Sequence, residues 1–342
     1  MRYKLLGKSG LRVSELCLGT MTFGEDWGWG ASKDESRQIF DAFVNAGGNF
    51  IDTANGYTDG SSEKIVGEFI ASDRQRFVVA TKYSFPLQMN NQSGNPNGSG
   101  NHRKNMVQSI EGSLKRLNTD YIDLFWLHAW DFTTPIEEVM RALDDLVRQG
   151  KVLYVGISDT PAWVVAQANT LAQCYGWTPF IALQIEYNLI QRTPERDLLP
   201  MAKAFGMSVT PWSPLGGGIL TGKYNQPSNS GDNNRLAEIP QHQLEIASAV
   251  VQVAANIGCS PSQLALAWLK VQSETIIPII GARKLSQFQD NLDCLKVNIT
   301  PEQLQRLNEV SKIEPGFPHD FLANDTIRER LFGGTFQNIQ FR

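Results

Sequence analysis

Hydrophobic residues gather in short dense runs at nearly regular intervals along the chain. The runs are residues 16–21, 49–54, 77–83, 122–130, 152–159, 180–188, 207–215 and 275–282. They are close to continuous rather than alternating, which marks strands covered on both faces. Longer stretches of helical pattern separate them, and strands joined through helices pair in parallel. Several helix starts are signalled. Ser32 with Glu35, Thr134 with Glu137, Ser260 with Gln263 and Thr300 with Gln303 have the spacing of a capping box. Three of these place proline at the first helical position, where its missing N–H costs nothing. Thr160-Pro161 and Thr193-Pro194 predict two more starts, and Gly47 and Gly150 fall where a helix ends in a left-handed residue.

Eight strands alternating with helices fit either an open doubly wound sheet or a closed barrel. A doubly wound sheet that binds a dinucleotide carries GxGxxG after its first strand. The first run instead ends in Gly19-Thr20-Met21, and GxGxxG occurs nowhere in the chain. The expected fold is therefore an α/β (β/α)8 TIM barrel. Residues 2–15 alternate around Gly7-Lys8-Ser9-Gly10 and predict a hairpin that plugs the barrel floor. The organisation expected is one domain, with the hairpin at 1–15, the barrel at 16–312 and a C-terminal segment at 313–342. Two polar, glycine-rich stretches, 88–101 and 227–234, follow the third and seventh strands. They predict long loops at the C-terminal face, where such barrels hold their active sites. They read equally as plain surface loops or as lids over substrate or cofactor.

Charge and cysteine usage narrow the function. The 342 residues carry a formal net charge of -4, with no basic stripe or Lys/Arg block, which argues against nucleic acid as a partner. Cys17, Cys174, Cys259 and Cys294 are scattered and form no CxxC, so neither a zinc site nor a disulfide framework is expected. No apolar run is long enough to span a bilayer, and the charged first fifteen residues do not read as a signal peptide. A cytoplasmic protein with reduced thiols is expected.

The strand ends carry the chemistry. The second run ends in Asp52, followed by Tyr57; the third ends in Lys82 and the fourth in His128. The fifth ends in Ser158-Asp159, the sixth holds Gln184, the seventh holds Trp212-Ser213-Pro214, and Gly281 and Arg283 follow the eighth. Any one of these could simply be meeting solvent, but in a barrel all converge on one mouth. Asp52 and Lys82 come from adjacent strands beside apolar segments, where an unpaired charge is costly, so they are expected to pair. A lysine ammonium beside Tyr57 would stabilise its phenolate and lower its pKa. His128 could donate a hydrogen bond to a carbonyl oxygen, giving an oxyanion site with a proton donor. There is no GxSxG nucleophile elbow and no HExxH or His-x-His spacing, so no metal is expected. An acid without nucleophile or metal points to a cofactor as reductant.

At this point the chain resembles the aldo-keto reductases over nearly its whole length. LGKSGLRVSELCLGTMTFG is similar to the family's first hairpin and strand, and FIDTANGY, ATK and LFWLHAWD carry its reactive positions. It looks closest to the bacterial branch akin to the potassium-channel β-subunits. The resemblance implies a catalytic tetrad of Asp52, Tyr57, Lys82 and His128. It places Ser158, Asp159 and Gln184 at the nicotinamide carboxamide and Trp212 against the nicotinamide ring. Ser213, Pro214, Leu215 and Gly217 would line the pyrophosphate path, and Gly19, Thr20, Met21, Asp52 and Lys223 would also bind the cofactor. IPIIGARKLSQFQDN would hold the adenosine phosphate through Gly281, Arg283, Gln287, Asp290 and Asn291. Some branches carry a lysine and an arginine where this chain has a small residue and Gln287. Arg283 and Lys284 can still grip a 2′-phosphate, so NADPH is expected, with NADH admitted. His128 stands where steroid double-bond reductases of the family carry an acid, which favours carbonyl reduction.

Trp27 and Trp29 follow the first strand, and Trp130 and Phe132 the fourth. They are expected to form an apolar wall for an aromatic aldehyde or ketone, or else to pack the rim. The partner expected is a small carbonyl compound, and a homo-oligomer is compatible with the sequence. Two other readings compete: a redox-sensing regulatory subunit of the channel β-subunit type, and a barrel isomerase or aldolase using Lys82 as a Schiff-base nucleophile.

Overall fold

The structure is a computed structural model that describes residues 1–88, 94–225 and 238–340. Eight parallel strands form the barrel: β3 (Cys17–Gly19), β4 (Phe50–Asp52), β5 (Val78–Tyr83), β6 (Ile122–Leu127), β7 (Val152–Ser158), β8 (Phe180–Glu186), β9 (Ser208–Trp212) and β10 (Ile279–Ile280). They pair in the order β10-β3-β4-β5-β6-β7-β8-β9. The ring closes where Val209 bridges Ile276 in parallel, with Val209 N–H donating to Thr275 and Ile277 N–H to Val209. The closed (β/α)8 TIM barrel is thus present, and each expected run contains one strand.

The helices sit where the spacing predicted, with local differences. Helix α1 (Lys33–Asn45) is capped by Ser32, which accepts from the Glu35 N–H. Glu35 does not complete the box; its carboxylate accepts instead from the Leu285 N–H at the start of a later helix. The box expected at Thr134 does not form. Thr134 donates its hydroxyl to Asp131, and the helix begins at Ile136 behind Pro135. Asp131 gathers four hydrogen bonds from Asn101, Thr133 and Thr134, so a loop-ordering carboxylate outcompetes the cap. Ser260 and Thr300 form complete boxes.

Two apolar layers result. One lies between strands and helices, with Ile39, Phe43, Phe125, Ile157, Leu183 and Trp268 wholly buried. The other fills the barrel, and includes Phe50, Val78, Ala80, Leu124 and Trp126 together with Leu6 and Val13 of the hairpin. Strands β1 (Tyr3–Leu5) and β2 (Arg12–Ser14) pair antiparallel, so the expected floor plug is present. Its turn needs glycine: Gly7 has φ +56°, and a Cβ there would lie 2.0 Å from the Ile181 carbonyl oxygen. Gly156 matters differently. A Cβ would meet the Trp126 ring at 2.3 Å, so glycine on β7 makes room for the indole that fills the barrel centre.

Successive inward positions of a strand lie two residues apart. Above the apolar layer the inward positions turn polar on strand after strand: Phe50 is followed by Asp52, Ala80 by Lys82, Trp126 by His128, Gly156 by Ser158 and Ala182 by Gln184. The fold therefore carries one polar layer, at the C-terminal mouth. Of the first glycine-rich loop, residues 88 and 94–101 are described. The 227–234 stretch lies outside the described residues. No described helix is long and apolar enough to cross a membrane.

Candidate active site

Lys82 is the hub of the mouth. Its side chain is fully buried, and its ammonium has three N–H groups. They go to Asp52 Oδ2, to the Thr53 carbonyl at 2.9 Å and to the Tyr57 hydroxyl at 3.0 Å. Asp52 accepts a second bond from Gln184 Nε2 at 2.9 Å. Burial opposes charge on Lys82, but Asp52 and the Tyr57 oxygen outweigh it and its pKa is raised. The expected Asp52–Lys82 pair is present, and Tyr57 and His128 join it: the Tyr57 and His128 rings meet edge to face at 5.9 Å.

The Tyr57 pKa departs from the expectation. Burial raises it, and the lysine's opposing pull does not overcome that. The phenol is thus held protonated. Its oxygen already accepts from Lys82, so its own hydrogen is left for another acceptor. Burial first, then the Lys82 charge, press the His128 pKa well below its ordinary value. The imidazole is neutral, and its buried Nδ1 has no hydrogen-bond partner. The backbone around Tyr57 is strained. Thr58 (φ 45°) and Asp59 (φ 52°) sit in the left-handed region, rare for a β-branched residue. Thr58 is held there by donating to the Phe23 carbonyl at 2.7 Å and accepting from the Ser62 N–H.

The expected nicotinamide residues lie around the same opening. Asp159, at φ 40°, accepts from Trp212 Nε1 at 3.0 Å and its N–H donates to the Gln184 carbonyl. Ser158 Oγ is fully buried, near enough to lower the Asp159 pKa somewhat, yet makes no hydrogen bond of acceptable geometry. Thr20 is buried, bonding the Asp52 carbonyl and Ser62, while Gly19 and Met21 flank it. Ser213 (φ 50°), Gly216 (φ 56°), Gly217 (φ 64°) and Gly218 (φ 95°) form a run of left-handed backbone after β9. The N–H groups of Gly216, Gly217 and Gly218 donate back to the Ser213 carbonyl, the Ser213 hydroxyl and the Leu215 carbonyl, so the turn is closed by its own hydrogen bonds. Pro214 and Leu215 lie within it, half-buried, and Lys223 folds its Cε to 3.2 Å from where a Gly218 Cβ would stand.

After β10, Arg283, Lys284 and Gln287 are exposed, and among the described residues neither cation has a hydrogen bond or ion pair. Gly281 and the buried Asn291 face each other, Asn291 Nδ2 lying 3.5 Å from the Gly281 carbonyl. Asp290 does not stand free. Each of its oxygens accepts a hydrogen bond from the cap of the preceding helix, from Ser260 at 2.8 Å and from Gln263 at 2.7 Å. The unpaired Arg283 and Lys284 side chains, and a buried Ser158 hydroxyl with no hydrogen bond of good geometry, fit a phosphate-bearing dinucleotide. No group of His, Cys, Asp and Glu among the described residues could hold a metal.

The aromatic residues divide. Trp27 donates Nε1 to Asp59 at 3.2 Å and its ring rests on Trp29 at 5.5 Å. Trp130 packs partly buried against the core, whereas Phe132 is 70% exposed. Two residues that sequence reasoning missed belong here. Phe85 sets its ring edge to face on His128 at 4.7 Å and is 39% exposed. Glu186 ends β8 in register with Trp212. The inward alternation from Ala182 and Gln184 could have found Glu186; nothing in the sequence singled out Phe85.

Residues 15–312 match the model of the aldo/keto reductase family. The chain is 39% identical to an aldo-keto reductase of Emericella nidulans over 338 residues, 95% of this chain and 85% of that protein. It is 40% identical to the aryl-alcohol dehydrogenase [NADP(+)] of Phanerodontia chrysosporium, covering 91% and 86%. Norsolorinic acid reductase of Aspergillus flavus is 38% identical, covering 93% and 83%. These relatives are fungal, which does not support the bacterial branch akin to channel β-subunits. The chain belongs to the aldo/keto reductase family and is an oxidoreductase.

Proposed function

We propose that this oxidoreductase reduces an aryl aldehyde or ketone to the alcohol, with NADPH as reductant and Tyr57 as proton donor. The observation that carries the reading is the hydrogen-bond count at Lys82. All three of its N–H groups are spent, on Asp52, Thr53 and the Tyr57 oxygen. The neutral Tyr57 phenol keeps its own proton for a substrate oxygen. Lys82 then stabilises the phenolate as the proton leaves, and Asp52, braced by Gln184, keeps the ammonium charged and fixed. His128 is neutral, so it can donate a hydrogen bond to the same oxygen without competing as an acid.

Bound NADPH would supply the hydride, its nicotinamide changing from neutral to cationic in the process. Ser158, Asp159 and Gln184 would hold the carboxamide, Trp212 the ring face, and the 213–218 segment the pyrophosphate. Arg283 and Lys284 would take the 2′-phosphate. The free cations and the relative named for NADP(+) support this choice. Phe85, Trp130 and Phe132 offer an apolar wall beside His128, and the relatives' aromatic substrates agree with it. The Schiff-base reading does not suit Lys82, because a raised pKa and three hydrogen bonds leave it without a lone pair.

The test is NADPH consumption with benzaldehydes, short aliphatic aldehydes and aldose sugars. The reading expects benzaldehydes to be turned over best; failure of every aromatic carbonyl, or better turnover of sugars, overturns it.

A further inference from the structure

The charges around the mouth do not cancel. Lys82 and Asp52 neutralise each other, and His128 is neutral. On the β7–β9 side of the mouth, two carboxylates make no ion pair with any described residue, Asp159 and Glu186. Asp159 is at least tied to Trp212 through Nε1. Glu186 is half-buried, and its carboxylate makes no hydrogen bond or ion pair with any described residue. It stands beside Trp212 in the β8–β9 register and two residues beyond Gln184, on the inward side of its strand. Burial, then Asp159, push its carboxyl pKa up, so the two acids share one field. An exposed carboxylate would escape this cost by facing bulk water. Here it is borne at the mouth, next to a wholly buried Ser158 hydroxyl that interacts with Asp159 but makes no hydrogen bond of good geometry. Both observations point to something that arrives from outside, with hydrogen-bonding capacity for Ser158 and positive charge for the acids.

Resting on the function proposed above, we infer that Glu186, with Asp159, makes the Trp212 pocket selective for the oxidised, cationic nicotinamide over the reduced, neutral one. Three features act in the same sense. The Asp159 carboxylate holds the Trp212 indole, the Glu186 carboxylate belongs to the residue beside Trp212 in the strand register, and the indole face itself attracts a cation. A neutral dihydronicotinamide gains from none of them. The same field favours hydride departure, because positive charge develops on the ring while the hydride leaves for the carbonyl carbon and the Tyr57 proton goes to the oxygen. Glu186 is therefore a charge-selecting residue for the cofactor rather than part of the acid machinery.

The experiment is equilibrium titration of NADP+ and NADPH by quenching of tryptophan fluorescence, on the full chain without substrate. Wild type, Glu186→Gln and Asp159→Asn are compared, with thermal melting to confirm that each is folded. Asp159→Asn keeps an oxygen for the Trp212 N–H and removes only charge. It also stands in if Glu186→Gln does not fold. The expected result is a Kd for NADP+ raised about three- to tenfold in either variant, with the Kd for NADPH changed less than about twofold, as suits one partly screened charge nearby. Equal weakening of both cofactors, or no change in either, overturns the inference while leaving the cofactor reading standing. If wild type binds neither form, the cofactor reading falls and this inference with it.

Discussion

Two regions of the mouth are built on opposite plans. At the ends of β4, β5 and β8 the polar groups are tied together: Asp52, Lys82, Tyr57 and Gln184 are linked in one buried chain. After β10 the charged groups are exposed and uncommitted, with the Arg283 and Lys284 side chains free of partners among the described residues. The first arrangement is preorganised, and the desolvation cost of its charges was met when the chain folded. The second leaves its interactions to be made with a ligand. Changes to the first should therefore alter turnover and stability together, whereas changes to the second should alter binding alone.

The sharpest break concerns the proton donor. Tyr57→Phe should lower kcat for carbonyl reduction by about 10²–10⁴, the usual range for a general acid, with NADPH affinity retained. Rapid-reaction kinetics would show it, and a variant with more than a tenth of wild-type kcat would place the proton elsewhere. Lys82→Met should lose turnover and also stability. Removing one partner of a buried pair typically costs about 3–5 kcal/mol, here because Asp52 would keep only Gln184. Urea unfolding at neutral pH would reveal a large fall in midpoint.

On the other side of the comparison, Arg283→Ala should weaken NADPH about tenfold to a hundredfold, from loss of about 1.5–3 kcal/mol in a charge-assisted bond. NADH affinity and the melting temperature should hardly move. Equal loss for both cofactors would place Arg283 away from the 2′-phosphate. The smallest effect belongs to the wall. Phe85→Ala or Trp130→Ala should raise KM for benzaldehyde by about fivefold, near 1 kcal/mol of lost apolar contact, and raise KM for a short aliphatic aldehyde less. A parallel rise in both would mean that these rings only pack the rim.

Asp290 shows what the structure adds at a single residue. The resemblance places it at the adenosine, and in the folded chain its two oxygens also brace the Ser260 capping box. Thr134 offers the same lesson in a cap. Its spacing to Glu137 is that of a capping box, but Asp131, three residues earlier, binds its hydroxyl first. Short-range spacing states what a side chain can reach; the neighbours that fold in beside it decide which bond it makes.

The sequence by itself determined the eight strands, the hairpin plug and the four residues that meet at the mouth. Apolar runs and strand-end polar residues are local patterns, and a closed parallel barrel leaves their ends one place to converge. Only the tertiary structure decided the charge states within that mouth. It raised the Tyr57 pKa where a neighbouring lysine suggested a fall, because burial depends on everything packed around the phenol. It also left Glu186 unpaired and brought Phe85 against His128. Desolvation and long-range contacts arise only when distant segments close together, and no run of residues along the chain encodes them locally.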